Sequence, residues 1–138
     1  MADRVLHIAI DGRELAGKPT GVGRYVNEVL RRWASEATFP HRVTVILHQA
    51  PPADLAAAVG PRVTWLVVPD AVGGTVWEQL RLPGAVARAG ADVLLAPAYT
   101  APLRARCPVV QVIHDVSYFA HPEWFGWREG LRRRWITR

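Results

Sequence analysis

The chain has 138 residues, enough for one domain with a substantial core but not for two. Half of the residues are hydrophobic and 21% are charged, which excludes intrinsic disorder. The single cysteine, Cys107, excludes an internal disulfide and a cysteine-based zinc cluster, and no apolar run nears the roughly 18 residues of a membrane span.

The net charge of +5 is concentrated in one place. Arg128, Arg132, Arg133, Arg134 and Arg138 against Glu129 put +4 of it in the last eleven residues. A nucleic-acid groove would spread arginines and aromatics over several elements, so nucleic acid is not the expected partner. A terminal basic helix reads as a solvated face or as a contact to an anionic membrane surface.

In chain order, Val5–Ile10 is the first strand; its apolar stretch is too short and too soon charged for a signal peptide. A reduced, cytoplasmic setting is the default expectation. Val22, Tyr25, Val26, Val29, Leu30 and Trp33 follow helical spacing, with Arg24, Asn27, Glu28, Arg31 and Arg32 opposite. Arg42–Leu47 is a second strand, the stretch from Pro52 to Val59 a short helix ended by Gly60-Pro61, and Val63–Val68 a third strand. Thr75–Ala89 reads as helical, apolar at Trp77, Leu80 and Val86, with Pro83-Gly84 kinking or splitting it. Val93–Ala96 is a fourth strand. Val109–Ile113 is a fifth, so apolar that it should be buried on both faces.

This alternation predicts an α/β domain spanning residues 1–138: a Rossmann-like open parallel sheet of about five strands, ordered 3-2-1-4-5, with helices on both faces. Trp127, Leu131 and Trp135 begin a helix that stops at Arg138 without a cap, so the expectation is a domain cut short.

Two segments could carry chemistry. In Asp11–Tyr25, Gly21 and Gly23 allow close backbone approach, Thr20 is placed to cap the helix, and Arg24 adds a fixed cation; together these suit an anion. The same segment also reads as a capped flexible loop. Ten residues separate Ile10 from Gly21 and the third glycine position holds Val26, which disfavours an NAD or NADP site. The second segment is the end of the fifth strand, where His114 and Asp115 occupy the ligand-binding edge of a parallel sheet. His114, Asp115 and His121 match no common zinc spacing, so no metal is expected. His7 is expected to be buried and satisfied, His41 and His48 solvated, and Cys107 unreactive.

In order along the chain, GVGRYVNEVL, WEQLRLP, ADVLLAPAYTAPL and VVQVIHDVSYFAHPEWF resemble the family-four glycosyltransferases. The resemblance covers nearly the whole chain, and its two most specific pieces are the GVGRY loop and the VIHDVSY…HPE stretch. It implies half of a GT-B architecture, the N-terminal acceptor-side domain, with a separate C-terminal domain that holds most of the nucleotide-sugar donor. It implies transfer of a sugar to a glycan, lipid or small-molecule acceptor with retention, without metal or other cofactor, and inactivity of this chain alone. The resemblance assigns Gly21, Val22 and Gly23 to a loop approaching the donor diphosphate or the acceptor, with Arg24 holding that loop or its anion. It places His114 against the transferred sugar, with Asp115 orienting the site, and Arg13 and Tyr99 on the acceptor side. Two other readings are a non-catalytic subunit of a split glycosyltransferase and a small nucleotide-binding Rossmann module.

Overall fold

The structure, a computed structural model, describes residues 4–18, 20–71, 74–115, 120–124 and 126–128. Five strands form one parallel sheet in the order β3-β2-β1-β4-β5. They are β1 His7–Asp11, β2 Arg42–Leu47, β3 Val63–Val67, β4 Val93–Ala96 and β5 Val109–Gln111. The helices are α1 Gly21–Ser35, α2 Ala53–Val59, α3 Gly74–Leu80 and α4 Leu82–Ala89. Among the described residues no helix is long and apolar enough to cross a membrane.

Strand alternation divides the core into two layers. Ile8 and Ile10 of β1 with Val43, Val45 and Leu47 of β2 point to one face, where Val26 and Leu30 of α1 and Leu55 and Val59 of α2 cover them. Ala9, Ile46 and Leu94 point to the other, under Trp77, Leu82, Ala85 and Val86 of α3 and α4. The sheet is therefore sandwiched between helices, as a parallel sheet requires.

The helix termini follow from local chemistry. Thr20 caps α1, its Oγ1 accepting the Gly23 N–H at 2.9 Å. Gly60 ends α2 at φ 54, a conformation glycine adopts without strain. The Thr75–Ala89 helix is split at Arg81, just ahead of Pro83, whose missing N–H is harmless in the first turn of α4. Leu80 is 73% exposed, against its expected apolar role, on the side opposite the buried Glu78, Leu82, Ala85 and Val86.

Two strands differ from expectation. β1 begins at His7, where its ladder with Arg42 starts, and extends to Asp11; Val5 is 55% exposed outside it. β5 stops at Gln111 and is not buried on both faces: Val110 is 53% exposed and Ile113 44%. It lies at the edge, where the expected order places it, and among the described residues pairs only with β4.

Trp77 is fully buried and donates its indole N–H to the Val68 carbonyl at 2.9 Å. Trp77→Phe keeps most of the packing but leaves that carbonyl unpaired, at a cost of about 1–3 kcal/mol. Urea denaturation should register that loss, and a variant of unchanged stability would refute the bond's contribution.

Candidate functional site

The order of the strands reverses between β1 and β4, the position outside whose carboxyl ends open parallel sheets generally bind ligands. After β1, residues 12–20 lead through a 3-10 turn, Arg13–Leu15, to α1. After β4, residues 97–108 return to β5 in parallel without an intervening helix.

His114, just beyond β5, joins the two loops. Its Nε2 lies 2.7 Å from the Pro97 carbonyl. A carbonyl only accepts, so Nε2 carries the proton and Nδ1 is left as the acceptor of the neutral ring. The ring meets Tyr25 of α1 edge-on at 5.0 Å and Tyr99 of the β4 loop at 5.8 Å. Tyr99 has φ 53, the left-handed region in which a bulky side chain costs about 1–3 kcal/mol. β5 and the residue after it hold it there: the Gln111 amide donates to its carbonyl, and its N–H donates to the Val112 carbonyl at 3.4 Å.

Behind this rim lies a buried charge cluster. Arg13 has a side chain only 7% exposed. Its guanidinium bonds Glu78, the Gly74 carbonyl at 2.9 Å and Thr100 Oγ1 at 3.0 Å. Its Nε is 3.1 Å from Asp11 Oδ2, close enough to pair but not aligned for a hydrogen bond. Glu78 is fully buried and also accepts from Thr100 and, at 2.8 Å, from Gln79. Burial pushes Asp11 up to about 6, although Arg13 pulls it the other way.

The structure thus brings Tyr99 and His114 into contact and sets Gly21 one turn before Tyr25, at the same end of the sheet. Asp115 follows His114 at the surface. Gly21 and Val22, as first residues of α1, have N–H groups without intrahelical partners. Gly23 is otherwise engaged. Its N–H is capped, and an added Cβ would sit 2.4 Å from the Glu14 carbonyl oxygen, so this glycine serves the packing of α1 on the preceding turn. Arg24 lines a separate cleft of 650 Å³ with Glu14, Asn27, Glu28 and Arg31, which does not include His114. Arg13, expected on the acceptor side, has its donors committed within the domain to Glu78, the Gly74 carbonyl and Thr100.

Sequence reasoning missed Tyr25, read as a core position but 37% exposed, and the partnership of Asp11, Glu78 and Thr100. The one signal was a charge, Glu78, beside the apolar Trp77 on a short helix. His7 is buried as expected, but only its Nε2 is paired, to Thr44 Oγ1 at 2.8 Å. His41 and His48 are half-buried rather than solvated. His121 pairs with Glu123 at 3.0 Å and stacks on Trp124. Burial raises the Cys107 thiol, which disfavours the reactive thiolate. Val116–Phe119, Phe125 and the arginines beyond Arg128 lie outside the described residues. Compared with protein-family models, curated proteins and solved structures, the chain finds no significant match.

Between the unfolded value of 3.8 and about 6, folded Asp11 holds a proton the unfolded chain has released. Its contribution to stability therefore falls as pH rises through that window, by about 3 kcal/mol in full, and is flat above it. Denaturation curves of the wild type and Asp11→Asn should diverge in slope between about pH 4 and 6. Parallel curves would show that Asp11 ionises freely in the folded chain.

Arg13→Met removes the one cation from between two buried carboxylates, which should cost about 3–5 kcal/mol near neutral pH. Acidification should recover part of it as Asp11 takes up its proton. A loss independent of pH would mean that packing, not charge, is what Arg13 supplies.

Proposed function

We propose that this chain is the acceptor-side domain of a glycosyltransferase of GT-B architecture, which moves a sugar from a nucleotide-activated donor to a hydroxyl acceptor with retention. One observation carries the reading. The segments of the family resemblance, GVGRY at α1, the AYT of the β4 loop and the VIHD after β5, come together at the switch point, with Tyr25, Tyr99 and His114 in contact. Such a switch point at the carboxyl ends of the strands is where open parallel sheets bind ligands.

The side chains suit that chemistry. The bond to Pro97 fixes the His114 ring and presents Nδ1 as an acceptor, which a sugar hydroxyl can satisfy. Tyr25 and Tyr99 supply apolar ring surface beside it. The amino end of α1, with the N–H groups of Gly21 and Val22, favours negative charge as the diphosphate leaves. Asp115 would orient the same site. Most of the donor would be held by a second domain, and closure of the two would exclude water. The reading carries a cytoplasmic setting, an acceptor that is a sugar or a lipid-linked sugar, and peripheral membrane contact through the Arg-rich segment.

The test is glycosyl transfer by the complete polypeptide with a panel of nucleotide sugars. His114→Ala should lower turnover on the order of a hundredfold while leaving nucleotide affinity nearly intact. Transfer at the wild-type rate by that variant would remove His114 from the site.

A further inference from the structure

The outer surface of the α3 and α4 layer carries a patch that the strand-end rim does not use. On α3, Trp77 and Glu78 are buried in the domain, which leaves Val76 and Leu80, one turn apart, exposed on the other side. The loop after β4 lies along this helix. The Gln79 side chain donates to the Ala101 carbonyl and accepts the Leu103 N–H, each at 3.0 Å. Pro102 between them is buried, so Leu103 is held beside α3 with its side chain outward, 91% exposed. Further along, Ala105 and Cys107 pack on the core beneath α3 and α4, and the alternate residues Arg104 and Arg106 are exposed.

Free charge on this layer is of one sign. Between Gly74 and Pro108 the basic residues are Arg81, Arg88, Arg104 and Arg106, and the acidic ones are Glu78 and Asp92. Glu78 is fully buried, and Asp92 is engaged by Arg4 at 2.6 Å and by the His7 N–H at 2.8 Å. Arg81 pairs with Asp70, but among the described residues no ion pair involves Arg88, Arg104 or Arg106. The α1 and α2 layer mixes its signs instead, Arg31 pairing with Asp54 and Arg32 with Glu36. Unpaired arginines beside exposed aliphatic side chains would repel a second copy of the same face. Val76, Leu80 and Leu103 also offer no aromatic ring on which nucleic-acid bases could stack. The combination matches an anionic lipid surface, whose headgroups take the cations and whose acyl boundary takes the leucines.

We propose that Val76, Leu80 and Leu103, with Arg104 and Arg106, dock this domain on a bilayer that contains anionic lipid. Exposed apolar groups rimmed by polar ones mark such contacts. Gln79 makes one surface of two elements, because its amide fixes the loop after β4 to α3. The patch is separate from the Arg-rich segment beyond Arg128 and adds to it an apolar contact. It does not rest on the glycosyl-transfer reading of the rim.

Sedimentation of the chain with vesicles of phosphatidylcholine, alone or mixed with phosphatidylglycerol, is the test. The mixed vesicles should bind the chain, and the neutral ones at least about tenfold more weakly. Leu80→Ser with Leu103→Ser changes no charge and should weaken binding to the mixed vesicles by about tenfold or more, as buried methylenes are lost. Arg104→Ala with Arg106→Ala should weaken it by about fivefold for each arginine, and added salt should act in the same direction. These side chains are exposed, so the variants should keep the fold, which circular dichroism checks. No binding to the mixed vesicles, equal binding to both kinds, or binding indifferent to the leucine pair would overturn the proposal. The last result would leave attraction by charge alone.

Discussion

One arginine between two buried carboxylates holds the carboxyl end of this sheet together. Arg13 belongs to the loop after β1, Glu78 to α3 and Thr100 to the loop after β4, and the guanidinium bonds the last two at once. None of these groups could be buried alone, because an isolated ion in the interior costs several kcal/mol. The charges do not balance, since one cation faces Asp11 and Glu78. The mismatch falls on Asp11, where desolvation outweighs the attraction of Arg13. Glu78 is instead supplied with donors by Arg13, Thr100 and Gln79.

That cluster fixes more than itself. Thr100 is the neighbour of Tyr99, so tying Thr100 to α3 anchors one side of the left-handed residue. Gln111 and Val112 anchor the other. Tyr99 is thereby pressed against a His114 whose own ring is tethered to Pro97. The rim's aromatic contacts are surface features, yet their geometry is set by buried polar bonds beneath them.

Much of the fold was legible because it rests on period and local chemistry. β2 and β4 match their expected spans, α1 follows its apolar spacing, and Thr20 and Pro83 act where their chemistry places them. β5 stands at the end of the sheet where the expected order put it; what failed was the expectation that both its faces are buried, because apolar composition shows a preference for burial but not what covers it. Leu80 was misread because the buried face runs through Glu78, Leu82, Ala85 and Val86 at helical spacing, which leaves Leu80 on the opposite side, and the charge of Glu78 hid that face. The cluster of Arg13, Glu78 and Thr100 left almost no trace, since Arg13 and Glu78 stand 65 residues apart and only the fold brings them together. Strand-end position did place His114 and Tyr99 at one edge, but Tyr25 escaped because a half-exposed tyrosine fits the same spacing as a core residue.

The glycine loop shows why a motif and a site are different things. Gly21 and Gly23 look equivalent in sequence, both fit for close approach to a ligand. In the fold nothing lies within 4 Å of a Cβ added at Gly21, whereas Gly23 is pressed on the Glu14 carbonyl. Only Gly21 is open to a ligand; Gly23 is required by the turn that positions the helix. The same reasoning separates the histidines. His7 and His114 each bond through Nε2, but Thr44 Oγ1 can donate or accept, whereas Pro97 can only accept. The tautomer of neutral His114 is therefore imposed by its partner, and with it the acceptor offered at the rim.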